Sequence, residues 1–95
     1  MKTKESILTE KIIKWLRDHG YYAVKLHGSA MQQAGLPDVL AMKGGRTYFF
    51  EVKTEEGKAT RLQAATIERL REFGAMAWVV RSVADVEEYL VGATP

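Results

Sequence analysis

Apolar residues set the rhythm of this chain. From about residue 4 to residue 19, Leu8, Ile12, Trp15 and Leu16 recur three or four apart, which predicts a helix with one buried stripe. Gly20 stands where a left-handed terminator belongs. The period then changes. Tyr21 to Leu26 is dense in aromatic and aliphatic residues, with Tyr22, Val24 and Leu26 alternating, and reads as a strand. His27 to Gly35 is small and polar, a loop, and Pro37 disfavours helix at Leu36. Val39 to Met42 is a second, short strand. Lys43-Gly44-Gly45-Arg46 is a hairpin turn, because paired glycines accept positive φ cheaply, and Thr47 to Lys53 is the strand returning from it.

Thr54 to Ala59 is polar and reads as a mobile connection. A second helix starts near Thr60, which stands at capping-box distance from Gln63. Leu62, Thr66, Leu70 and Phe73 follow as its stripe, with Ile67 beside them and Gly74 closing it. Ala75 to Val80 is an apolar strand. Ser82 caps a last helix, with Asp85 at the box position, that runs through Val86 and Leu90, and the tail beyond it reads as frayed. The order is α-β-β-β-α-β-α, an α/β class. A strand, a helix and another strand in succession imply a right-handed parallel crossover, so the sheet is mixed and flanked by helices. With no linker and no internal repeat, residues 1–95 are expected to form one domain, its core about 3–91.

Composition narrows the setting. The chain has 95 residues and no cysteine, which excludes a disulfide framework and a thiolate zinc site. No apolar run approaches a membrane span, and the charged start Met1-Lys2-Thr3-Lys4-Glu5 does not read as a signal peptide. The cytoplasm is the expected location. The net charge of +2 says little, but residues 1–48 carry eight Lys and Arg against four acids, while residues 49–95 carry six against eight. A basic N-terminal half suits a phosphate backbone; a solvated helix face explains it equally well.

The candidate chemistry lies in Asp38, Glu51 and Lys53. Residues two apart on a strand share a face, so Glu51 and Lys53 project together while Phe50 and Val52 face the core. The Gly44-Gly45 turn can fold Asp38 back beside Glu51. Two carboxylates and one ammonium at the rim of a small sheet can hold a divalent metal and activate a water against a phosphodiester. Singly, each has a plainer explanation: acids are common near turns, and Glu51 with Lys53 could be an exposed charge pair. The combination of Gly-x-Pro-Asp, a Gly-Gly hairpin and an apolar strand ending in Glu-x-Lys is more specific. Lys58 and Arg61, near the start of the second helix, suit backbone phosphates. Trp15 and Trp78 read as core or interface, and His19 and His27 as neither ligands nor bases.

Gly35-Leu36-Pro37-Asp38 and Glu51-Val52-Lys53 resemble the PD-(D/E)xK nuclease signature. Over about residues 3 to 91 the chain is similar to a stand-alone VRR-NUC domain, the virus-type replication-repair nuclease module, and its layout is also that of archaeal Holliday-junction resolvases. Glu5 followed by Leu8, Ile12, Leu16 and Gly20, then Lys25, the His27-Gly28-Ser29 loop and Gln63, match in order. The resemblance implies a restriction-endonuclease-like fold and a metal-dependent, structure-selective DNA endonuclease that leaves 5′-phosphate ends.

It also implies roles. Asp38 and Glu51 would bind Mg²⁺ or Mn²⁺ through their carboxylates and Val52 through its backbone carbonyl, since hard cations prefer oxygen donors. Lys53 would orient or deprotonate the attacking water. Glu5 shares the helix face of Leu8, Ile12 and Leu16, whereas Glu10 falls on roughly the opposite side; a first-turn glutamate favoured by the helix dipole explains Glu5 equally well, and the resemblance makes it the expected additional acid, as metal ligand or acceptor for water. Gln63 has two competing uses, the cap at Thr60 and a place at the site, of which the site is preferred. Ser29 and Lys25 could contact a phosphate, although Lys25 also fits a solvated charge on an edge strand. Symmetric cutting of a four-way junction needs two sites related by a two-fold axis, so a homodimer is expected. The contact could involve Met31 to Leu36, Trp78 or the last helix. A phage or bacterial setting follows from the resemblance alone. The rivals are a DNA-binding or regulatory module that keeps the fold without useful activity, and a structural α/β adaptor.

Overall fold

The computed structural model describes residues 2–26 and 33–93; Ser29 and His27 lie outside them, as does the start of the Met31 to Leu36 segment. Helix α1 spans Lys4–Asp18, opened by Thr3, whose side chain accepts the Ser6 N–H. Strands β1 (Tyr22–Lys25), β2 (Val39–Lys43) and β3 (Arg46–Val52) follow, then α2 (Arg61–Glu72), β4 (Met76–Val80) and α3 (Val83–Ala93). This is the α-β-β-β-α-β-α order expected. The four strands lie in the order β1-β2-β3-β4. The first two pairings are antiparallel and β3 with β4 is parallel, the crossover running through α2.

Register decides which face each side chain serves. Ala23, Ala41, Tyr48 and Met76 form one row across the sheet, and Val39, Phe50 and Trp78 another. These rows pack against Ile12, Ile13 and Leu16 of α1 and Val86 and Leu90 of α3. Ile67 of α2 and Ala77 of β4 are buried outside that cluster, so α2 covers the opposite face. Leu40, Phe49 and Ala77, and next Glu51 with Val79, look towards α2. Trp15 and Trp78 are half-buried against the main core, and Trp78 stacks on Tyr89 with centroids 5.0 Å apart.

Two expected patterns are corrected. In β1 the core position is Ala23, while Tyr22 is 62% exposed. The strand lies at the sheet edge, where only the small residue opposite Ala41 fits under α1. In α2, Ile67 is buried, whereas Leu62 is 53% and Phe73 81% exposed. The helix rests along β4 at one margin of the sheet, so Ile67 is buried, Thr66 and Leu70 are half-buried, and both ends of the stripe stay in solvent.

A short repeat, which the sequence reading did not anticipate, frames both edges. Arg17-Asp18-His19-Gly20-Tyr21-Tyr22-Ala23 and Arg71-Glu72-Phe73-Gly74-Ala75-Met76-Ala77 each run from helix end to edge strand. Arg17 donates through Nε and Nη2 to the Ala23 carbonyl at 3.0 and 2.9 Å. Arg71 does the same at Ala77, at 3.0 and 2.7 Å. Each guanidinium occupies an outward carbonyl that another strand would need for pairing.

Candidate active site

Asp38 sits one residue before β2. Because Val39 pairs with Phe50, the next position in that antiparallel register sets Asp38 opposite Glu51, on the α2 side of the sheet. Asp38 Oδ2 accepts the Val52 N–H at 2.7 Å, deep in the structure. The Lys53 ammonium lies 3.2 Å from Glu51 Oε2. Phe50 and Val52, on the other face, are fully buried. The alternation along β3 therefore gives the shared face expected for Glu51 and Lys53.

The pair is not the exposed surface contact that its sequence also allowed. Glu51 is 1% exposed and Lys53 side chain 13%. Burial, then the charge of Asp38 and a hydrogen bond shared with it, push the Glu51 carboxyl up from 4.5 to about 7, against the opposing pull of Lys53. Glu51 Oε1 is buried with no hydrogen-bond partner. A buried acceptor without a donor is costly and uncommon. Two buried carboxylates set opposite each other, one of them with a spare oxygen, form a donor set suited to a hard cation. By this measure the residues present fit a divalent metal.

The Gly-x-Pro-Asp segment owes its path to close packing. Gly35 has φ +88, and a Cβ there would come 2.7 Å from Leu62 Cγ and 2.9 Å from Thr66 Oγ1 of α2. Only glycine lets the chain pass beneath the helix in this conformation. Pro37 is fully buried and precedes Asp38 directly, so the carboxylate enters the sheet from a fixed backbone.

The other expected residues scatter. Glu5 is half-buried in the first turn of α1. Among the described residues no three His, Asp or Glu side chains gather in a group that could hold a metal. Glu10 is on the solvent side, paired with Lys2 at 3.0 Å. The Gln63 side chain is committed to the cap: its Oε1 accepts the Thr60 N–H at 3.0 Å, and Thr60 Oγ1 accepts the Gln63 N–H at 3.1 Å. That is the use weighed against a site role, and it follows from Thr60 holding the extended N-cap backbone. Lys25 pairs with Val39 in register, hence on the α1 side, beside Glu10, Lys14, Arg17 and Asp18. It points away from the carboxylates' face. Lys58 and Arg61 are exposed at the approach to α2. The His19 ring stacks on Trp15.

One neighbour of the site had no signal in the sequence reading. Arg81 follows β4 and donates through Nη1 to the carbonyls of Thr54, at 2.6 Å, and Glu55, at 3.2 Å. Periodicity could not find it, since it lies outside every element. The parallel ladder could have, because Lys53 N–H bonds to the Val80 carbonyl and so brings Arg81 beside Thr54.

Comparisons with known proteins agree with the fold. The family described as archaeal Holliday junction resolvase (Hjc) matches residues 1–88. A solved structure described as a VRR_NUC domain superposes with a TM-score of 0.77 at 30% identity, covering 94% of this chain and 96% of its own. Another, a VRR_NUC domain protein, superposes with a TM-score of 0.74 at 21% identity, covering 97% and 88%. No curated protein sequence matches. With the resolvase profile spanning nearly the whole length and a VRR-NUC fold superposing end to end, the chain belongs to the archaeal Holliday junction resolvase family, in the nuclease superfamily shared with VRR-NUC domains.

Proposed function

We propose that this protein is a metal-dependent endodeoxyribonuclease acting on branched DNA such as four-way junctions. The observation that carries the reading is the buried Asp38–Glu51 pair with Lys53 at 3.2 Å and an unpartnered Glu51 Oε1. Asp38 and Glu51 would hold the ion. The Val52 carbonyl would join them: its own N–H is directed to Asp38, and in an extended strand the carbonyl of a residue points the same way as its N–H. Mg²⁺ or Mn²⁺, when bound, supplies Lewis-acid polarisation of the scissile phosphate and charge neutralisation. Lys53 is held by Glu51 with its ammonium at the site, where Nζ would orient the attacking water and offset charge building on the phosphate. Lys58 and Arg61 would contact phosphates beside the scissile one. The scheme needs only these residues; Glu5, in the first turn of α1, would add a further acid for the ion or its water, and Gln63 would reach a phosphate only on leaving its cap at Thr60.

Branched DNA and a homodimer come with the family and with symmetry: paired cuts across a junction need two copies of the site. Among the described residues no helix is long and apolar enough to cross a membrane. The test is a cleavage panel of four-way junction, flap, single strand and nicked duplex, each with Mg²⁺ or Mn²⁺. Wild type is expected to cut the junction, and Asp38→Ala and Lys53→Ala to abolish cutting while remaining folded by circular dichroism. Either mutant cutting at the wild-type rate removes the catalytic assignment. Binding without cleavage by wild type identifies the regulatory module instead.

A further inference from the structure

We propose that Arg81 is a positioning residue for Lys53, acting through the turn that follows β3. The turn has a defined shape: Gly57 N–H donates to the Thr54 carbonyl at 3.1 Å, closing Thr54–Gly57 on itself. Its Gly57 lies against the lysine stem, where a Cβ would be 3.4 Å from Lys53 Cδ and 3.6 Å from Lys53 Cβ. The turn is thus one wall of the slot through which the Lys53 side chain reaches Glu51 Oε2.

That wall has little apolar anchorage of its own, since Glu55, Glu56 and Lys58 are exposed. Arg81 supplies the tie. Its Nη1 donates to the carbonyls of Thr54 and Glu55, and the Thr54 contact, at 2.6 Å, has the short length of a charge-assisted bond. Arg81 is itself fixed at its backbone, whose N–H donates to Asp85 Oδ2 at 2.8 Å in the first turn of α3. A chain of contacts runs from the α3 cap through the Arg81 guanidinium to the turn and on to the lysine stem. The Asp85 bond uses the backbone and the guanidinium is exposed, so replacing the side chain removes only the tie.

The contact stands on geometry alone, while its catalytic consequence rests on the nuclease reading above. Two measurements on the full chain separate them. In metal-free protein, amines are acylated briefly with acetic anhydride and the labelling of Lys53 is compared with that of the exposed Lys14 by peptide mass spectrometry. Arg81→Ala is expected to raise Lys53 labelling severalfold relative to Lys14, and Arg81→Lys, which can still donate to Thr54, to fall between. With junction DNA and Mn²⁺, Arg81→Ala is expected to lower kcat by about 10- to 100-fold, the scale for a misplaced catalytic group, with KM unchanged. Unchanged Lys53 labelling in Arg81→Ala overturns the proposal whatever the cleavage rate. Raised labelling with unchanged kcat overturns it as well. If wild type cuts no DNA, the nuclease reading fails separately, and the labelling still decides whether Arg81 holds Lys53 in place.

Discussion

Replacing Glu51 by Gln should stabilise the metal-free protein at pH 8 while removing its function. In the unfolded chain Glu51 ionises near 4.5; in the fold, burial and Asp38 raise this to about 7. Below pH 4.5 both states hold the proton, and the buried carboxyl costs nothing extra. Between 4.5 and 7 the unfolded state releases it while the folded state keeps it, so stability falls as pH rises and levels off above 7. A shift of this size corresponds to at most about 3 kcal/mol, and local relaxation and water entry bring it to about 1–3 kcal/mol. The benefit of the Lys53 contact is already contained in that net rise. Glutamine has the shape of the protonated acid and does not ionise. Glu51→Gln should therefore melt higher than wild type at pH 8 in EDTA, by at least about 4 °C for a chain of this size. The two curves should converge towards pH 5. Adding Mg²⁺ should raise the wild-type midpoint and leave the glutamine variant unmoved, because metal stabilises only the state it binds. A glutamine variant that melts lower than wild type at pH 8, as after a core truncation, would refute the view that ionised Glu51 is a burden the apo fold carries.

Two further substitutions probe the scaffold. Asp38→Ala strips the acceptor from the buried Val52 N–H, whereas Asp38→Asn keeps an oxygen for it; both remove the charge, so urea midpoints should put alanine about 1–3 kcal/mol below asparagine. Equal midpoints would mean that the 2.7 Å contact contributes nothing to the fold. Gly35→Ala combines a positive φ with a Cβ 2.7 Å from Leu62 Cγ, so it should cost about 2 kcal/mol or more in denaturant melts and loosen α2, and an unshifted midpoint would show that the helix does not bear on Gly35.

Much of the architecture was legible because periodicity was local and strong. The stripe of Leu8, Ile12 and Leu16, the paired glycines 44 and 45, and the spacing of Glu51 and Lys53 each specify an element without help from the rest of the chain. The phase of β1 was not legible. Tyr22 looks more like a core residue than Ala23 until β1 is known to be an edge strand lying under a close helix. The α2 stripe misled for a similar reason: amphipathicity tells which side of a helix is apolar, not how much sheet lies under it. Gln63 was readable both ways, and in the structure its side chain is taken by the local hydrogen bond to Thr60, three residues away.

The depth of the carboxylate pair was the least legible feature and the most consequential. Alternation along β3 says that Glu51 and Lys53 share a face, and it says the same whether that face is wet or dry. Dryness comes from elsewhere: Asp38 arriving opposite Glu51 through the β2–β3 register, Pro37 packed behind it, and α2 lying close over Gly35. Those same contacts push the Glu51 carboxyl towards neutrality and leave its Oε1 without a donor. A sequence selected for stability alone would replace such a pair with apolar residues of similar volume. Keeping two buried acids and directing Lys53 at one of them makes sense if an ion from solution completes the site. The cost of burying ionised Glu51 is then offset when that ion binds, and a proton held on Glu51 must leave as it does.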